Sequence, residues 1–118
     1  MLPKINPTNT TAWKSLQEHF SEMKNVHMRE LFKLEPDRFS KYSISNRDIV
    51  FDHSKNIIND KTIQLLLQLA NECRLKDGID AMFNGEKINE TEGRAVLHTA
   101  LRNLSTEPVF AEGIDVMP

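Results

Sequence analysis

I-N-E-T-E-G-R-A-V-L-H-T-A-L-R-N, Ile88 to Asn103, is the stretch on which the reading of this chain turns. Asn89 is a good N-cap, and Glu92 follows three residues later. That is the capping-box spacing, in which each side chain satisfies an orphan amide of the first turn. Val96, Leu97, Ala100, Leu101 and Leu104 recur at helical spacing and make one wide apolar face. The spacing therefore predicts a helix, the clearest in the chain. Arg94, His98 and Arg102 fall at i, i+4 and i+8 on another face. The plainer reading of that basic stripe is a solvated face, with Glu90 and Arg94 as an i,i+4 pair. The sharper reading is a helix wedged between two layers, its basic side facing acidic groups or carbonyls.

Upstream, Leu75, Ile79, Met82 and Phe83 predict a short amphipathic helix ended by Asn84-Gly85, with Gly85 suited to a left-handed cap. Before it, Asp60 is expected to cap a helix whose apolar face is Ile63, Leu66, Leu67, Ala70 and Cys73. Cys73 then reads as a small buried hydrophobe, not a nucleophile. Tyr42 and Ile44 alternate with serines, Asn46-Arg47-Asp48 reads as a turn, and Ile49-Val50-Phe51 is β-branched and aromatic. A β-hairpin over Phe39 to Ser54 follows. At the start, Pro7 with Asn9 or Thr10 opens a helix lined by Trp13, Leu16, Phe20 and Met23, a stripe expected in the core. Asn25 to His27 breaks it. Met28, Leu31 and Phe32 suggest a second short helix, stopped by Pro36. Downstream, Pro108 to Met117 reads as strand, turn at Glu112-Gly113, and strand. The fold class is an α-rich α+β segment of about five helices and two short β-hairpins, without repeats. A final strand directly before Pro118 leaves an open edge, which the two hairpins could close by pairing together or which a longer chain would cover.

Composition narrows the function. The 118 residues suit one domain with a modest core, 39% hydrophobic and 27% charged. The net charge of -2 argues against a general nucleic-acid binder, which needs a basic footprint. No apolar run is long enough to span a bilayer, and M-L-P-K-I-N-P has no apolar signal core. A single cysteine cannot form an internal disulfide. These features together fit a reducing, cytoplasmic setting.

Candidate chemistry is thin. Asp52-His53-Ser54 invites a catalytic-triad reading, but successive strand residues point to opposite faces, so His53 faces away from both neighbours. His19 and Glu22, at i and i+3, could be a metal pair, yet two ligands do not make a site and an exposed polar face is the expectation. Gly78 and Gly85-Glu86-Lys87 have the wrong spacing for a phosphate loop. Three N-x-S/T sequons, at Asn9, Asn89 and Asn103, are expected to stay unmodified without a signal peptide. No paired carboxylates, no nucleophile with a base and no glycine-rich anion cradle stand at convincing spacing.

The segment Gly85 to Asn103 also resembles the G-x-K-I-N-x-T-E-x-R-A-V-L-H-x-A-L-R-N segment of the glucose-6-phosphate isomerase family. The flanks agree. Asp37-Arg38-Phe39 and Val50-Phe51-Asp52-His53-Ser54-Lys55-Asn56 resemble its E/D-R-F and L-V-D-Y-S-K-N hairpin. Ala81-Met82-Phe83 and Gly113-Ile114-Asp115-Val116-Met117-Pro118 resemble its M-F and G-K-D-V-M-P. The likeness covers essentially the whole chain in order. His53 departs from the usual tyrosine and Gly93 from the usual asparagine, and Gly93 costs a helix about 1 kcal/mol against alanine.

The resemblance implies the N-terminal segment, residues 1–118, of a longer isomerase, with the catalytic α/β domains absent from this chain. Full-length members are α/β homodimers with sugar-phosphate-binding sandwich domains. They interconvert glucose 6-phosphate and fructose 6-phosphate in glycolysis and gluconeogenesis, through ring opening and an enediol. The phosphate-binding turns and the proton-moving glutamate, ring-opening histidine and late lysine lie beyond Pro118 in the family. The resemblance thus assigns no catalytic, substrate-binding or metal residue to this chain. It implies no metal or organic cofactor, no nucleic acid and no membrane, and the rest of the isomerase chain as partner. It favours the wedged reading of Arg94, His98 and Arg102. The chain alone is expected to be inactive. The competing reading, from another class, is a stand-alone helical protein-interaction module derived from the isomerase N-terminus.

Overall fold

A computed structural model describes residues 3–117. Among them are five α-helices and two separate two-stranded antiparallel sheets, so the α-rich α+β reading holds. The chain divides into two compact units, 8–69 and the remainder.

A 3-10 turn, Pro7–Asn9, leads into unit 8–69, whose first helix is α1, Thr11–Met23. Thr10 is the N-cap, its hydroxyl accepting the Trp13 amide at 3.2 Å. Met23 is buried and Trp13 and Leu16 are half-buried, but Phe20 is 66% exposed, so the expected core stripe is covered only in part. Helix α2 is Met28–Leu34, ending before Pro36 as expected. Residues 39–41, expected in the hairpin, instead belong to a single helical turn, α3, Arg38–Lys41. The hairpin is shorter: β1, Ser43–Asn46, pairs with β2, Ile49–Asp52, around Arg47-Asp48. A buried arginine explains the difference. Placing the Arg38 side chain inward requires the backbone there to coil back toward Glu35, which a strand would not do.

Helix α4, Asp60–Glu72, begins one residue before its expected start. The cap is Asn59, not Asp60. Asn59 Oδ1 accepts the Thr62 amide at 3.0 Å and Thr62 Oγ1 accepts the Asn59 amide at 3.1 Å, a reciprocal box. No residue of α4 is buried, and Leu66 and Leu67 stand 45% and 61% exposed. Its apolar face is present and uncovered. Cys73, just past the helix, is half-buried.

In the other unit, helix α5, Leu75–Phe83, ends as the sequence predicts. Gly85 has φ +70°, the Glu86 amide reaches the Ala81 carbonyl at 3.0 Å and the Gly85 amide reaches that of Met82 at 3.3 Å. This is a Schellman cap. Strands β3, Phe110–Ala111, and β4, Ile114–Asp115, form the terminal hairpin across Glu112-Gly113. Its ladder continues through the Val116 amide to the Val109 carbonyl at 2.8 Å.

The helix expected over Ile88 to Asn103 is absent. Asn89 and Arg94 instead form an isolated antiparallel bridge, closing a four-residue loop with Gly93 at φ +64°. Only Ala100–Arg102 coil, as a 3-10 turn. Asn89 Oδ1 accepts the Glu92 amide at 3.3 Å, but the Glu92 carboxylate meets only the Asn89 side-chain amide, at 3.4 Å, and the Asn89 backbone amide goes to the Arg94 carbonyl. Half of the expected box is therefore made without the helix it should start. The physical reason is burial. A helix gains most of its stability from covering its apolar face, and here Leu101 and Leu104 are 85% and 102% exposed. With nothing to cover that face, the Asn89 side-chain bonds and the left-handed glycine hold a turn instead.

Candidate functional site

The densest polar constellation is built on Arg38, fully buried at 0% exposure. Its Nε donates to the Ser54 carbonyl at 2.8 Å, Nη2 to those of Asn56 and Ile58 at 2.9 and 2.7 Å, and Nη1 to the Glu35 carboxylate at 2.8 Å. The guanidinium also lies 4.5 Å from the Tyr42 ring centroid. The fork thus gathers α3, the residues after β2 and the residues before α4 onto one side chain. Its partners are carbonyls of the connecting loop, so the group locks a fold and leaves little for a ligand. In the sequence Arg38 stands out only within Asp37-Arg38-Phe39. The available signal was an arginine between a proline-broken helix and a hairpin, a place where loop carbonyls need a donor.

Around it, Lys41 Nζ bonds both Glu35 and Asp60, and the Tyr42 hydroxyl donates to Asp60 Oδ1 at 2.8 Å. The Lys41 ammonium, then Tyr42, hold the Asp60 carboxyl below its ordinary range, and Lys41 does the same for Glu35. Two salt bridges, to Asp60 first and then Glu35, raise the lysine pKa further above its usual value. Burial, then the bond to Asp60, raises that of Tyr42. A concavity of about 520 Å3 adjoins this cluster, lined by Tyr42, His53, Asp60 and Leu67 among others.

Asp52, His53 and Ser54 do not form a triad. The Ser54 hydroxyl and amide both turn to Asp52, the amide at 2.8 Å from Oδ1, and lower that carboxyl's pKa. Ser54 is buried. His53 stacks on Phe51 at 5.3 Å, and its Nδ1 is buried without a hydrogen-bond partner. No triad forms, as expected, although β2 ends at Asp52 and strand alternation does not reach His53 and Ser54.

His19 corrects the sequence reading. It is 3% exposed, not part of an exposed polar face. Nδ1 contacts Glu22 Oε2 and Nε2 contacts Thr62 Oγ1, both at 2.8 Å, joining α1 to the first turn of α4. Lys61, then His19, lower the Glu22 carboxyl's pKa. Among the described residues no three His, Cys, Asp or Glu side chains gather as a metal site.

The basic residues of the opening stretch share no helix face. Glu90 pairs with Lys4 at 2.7 Å, not with Arg94, which lies 3.9 Å from Glu92. Arg102 Nη1 donates to the His98 carbonyl at 2.9 Å. Arg94 and His98 border an open concavity of about 660 Å3 with an apolar floor that includes Val96, Leu97 and Met117. Neither concavity brings a nucleophile, a base and an anion cradle together. No helix among the described residues is long and apolar enough to cross a membrane.

Comparison with known proteins supplies what the geometry does not. Residues 52–118 match the family described as phosphoglucose isomerase. Over all 118 residues the chain is 52% identical to a glucose-6-phosphate isomerase of Desulforapulum autotrophicum, and it spans about a fifth of that relative, 21% of its length. A match over more than half of the chain, joined to that identity over its full length, places this chain in the phosphoglucose isomerase family.

Proposed function

We propose that this chain is the N-terminal part of an aldose–ketose isomerase that interconverts glucose 6-phosphate and fructose 6-phosphate in the cytoplasm, and that the complete enzyme is a homodimer. The observation that carries the proposal is the 52% identity along the whole chain to one fifth of a glucose-6-phosphate isomerase. The reaction opens the sugar ring and moves a proton between neighbouring carbons through an enediol. It needs a phosphate cradle and a general base. In this reading the remaining four-fifths of the enzyme supply both. Residues 1–118 act as one supporting segment that contributes no catalytic, substrate-binding or metal-binding side chain.

Two features support that role. The donors of Arg38 are committed to Ser54, Asn56, Ile58 and Glu35 inside the segment. Buried apolar side chains are few, with Ala12, Met23, Leu31, Tyr42 and Ala81 below a tenth exposed, while Leu34, Ile49, Phe51 and Leu67 are more than half exposed. So much uncovered apolar surface suits a segment that packs on further protein.

The test is an isomerase assay in a host lacking its own enzyme. One sample is the 118-residue chain, the other the reading frame continued past the codon for Pro118. Interconversion by the continued frame and none by the short chain is the expected result. Turnover by the short chain, or a frame that stops after Pro118, refutes the proposal.

A further inference from the structure

We infer that Asn89 to Leu104 is a two-state segment. It is a turn in this structure and an amphipathic helix when polypeptide from the rest of the isomerase covers its apolar side. Three observations carry this. The first is that one half of a capping box is already made, with Asn89 Oδ1 accepting the Glu92 amide at 3.3 Å. The second is that the apolar positions 96, 97, 100, 101 and 104 keep helical spacing, yet Leu101 and Leu104 are 85% and 102% exposed. The third is the small distance between the two states. In the turn, the Asn89 carbonyl accepts the amide of Arg94 at 3.2 Å. In a helix capped by Asn89 it accepts the amide of residue 93 instead, one position earlier. Gly93 decides between them, because its φ of +64° is left-handed and a helix needs it right-handed.

The occupant follows from length and charge, and naming it rests on the isomerase reading. The relative carries almost four-fifths of its chain beyond the matched part. In the helical state Val96, Leu97, Ala100, Leu101 and Leu104 form one side, with Arg94, His98 and Arg102 beside them. The surface that covers it is therefore apolar with acidic groups at its border.

The glycine gives the test. A side chain at position 93 meets nothing within 4 Å, so Gly93→Ala does not clash with the turn. Alanine favours a helix over glycine about fivefold and disfavours the left-handed turn at least as much, which shifts the balance about 30-fold. Carbon-13 NMR of the 118-residue chain reads the state residue by residue. Gly93→Ala is expected to move residues 90–103 toward helical shifts, and trifluoroethanol added to the wild-type chain to move the same residues. Unchanged shifts in both overturn the two-state segment, whatever the longer frame catalyses. The same carbons in the continued frame are expected to be helical without substitution, and a retained turn there overturns the docking. A helical Gly93→Ala chain beside a catalytically dead continued frame overturns the isomerase reading alone.

Discussion

Arg38→Met removes the most connected side chain in unit 8–69, and its cost can be worked from the structure. Arg38 is 0% exposed and donates to three carbonyls and one carboxylate. Methionine fills much of the volume but donates nothing. The Ser54 carbonyl, in a buried residue, loses a charged donor, a loss of about 2 kcal/mol. The carbonyls of Asn56 and Ile58 sit in less buried residues and regain water in part, about 1 kcal/mol each. The lost stacking on Tyr42 adds about 1 kcal/mol. Glu35 keeps Lys41 and adds little. Relief from burying the guanidinium charge offsets some of this, so about 4 kcal/mol remains. That is a large share of the roughly 6 to 18 kcal/mol expected for a chain of this size. The assay is urea unfolding followed by Trp13, the one tryptophan, which lies in the same unit. With a slope of about 2 kcal/mol per molar, the midpoint falls by about 2 M. Arg38→Lys keeps the charge but offers one ammonium where a planar fork reached four acceptors, and it recovers less than half of the loss. A midpoint shift for Arg38→Met below about 0.5 M would refute the reasoning, because it would mean the carbonyls find other donors.

Other perturbations follow from the same geometry. A Cβ at Gly85 lies 2.3 Å from the Phe110 carbonyl oxygen, at φ +70°, so Gly85→Ala costs about 3 kcal/mol, read as a lower Tm with faster amide exchange in β3 and β4. His19→Leu removes the buried link between Glu22 and Thr62, which keep only Lys61 and Asn59, and loses about 2 kcal/mol in urea unfolding, while His19→Gln retains part of it. Asp60, Asp52, Glu35 and Glu22 all titrate below their ordinary values in the folded chain. Their stabilisation is present above the unfolded-state pKa and is lost as pH falls through the folded one, so stability drops below about pH 4. Asp60→Asn flattens that acid limb in a pH series of Tm measurements. Thr10→Ala removes the α1 cap and lowers stability by about 1 kcal/mol in urea unfolding.

Local signals were legible where the chain settles its own ends. The α1 cap, read as Asn9 or Thr10 and found at Thr10, the stop before Pro36, the Gly85 cap and the Glu112-Gly113 hairpin turn all depend on groups within a few residues. Signals failed where the answer depends on what lies across space. His19 looked solvated because its own helix face is polar, and only the arrival of Thr62 buries it. The role of Arg38 was hidden for the same reason, since the carbonyls it serves are 16 to 20 residues away. The candidate site was least legible of all. Motif spacing offered no catalytic set to look for, and the family had to come from the ordered likeness along the whole chain.

The stretch from Ile88 to Asn103 joins these lessons. Its sequence satisfies every local rule for a helix except Gly93, and the structure withholds the helix. Propensity and capping together supply about 1 to 2 kcal/mol, too little to outweigh a left-handed glycine and an uncovered apolar face. The same shortage shows in α4, which is helical but buries no residue, and in β2, whose four residues are all exposed. The difference between α4 and the failed helix is the cap. Asn59 and Thr62 close a box at 3.0 and 3.1 Å, and His19 holds Thr62 from α1. At Asn89 only half of a box is made, its Oδ1 accepting the Glu92 amide at 3.3 Å while its own amide goes to the Arg94 carbonyl, and the groups around it, Thr91 and Arg94, belong to the same short turn. A helix start that is anchored from another element survives without burial, whereas one that is only locally capped needs its apolar face covered.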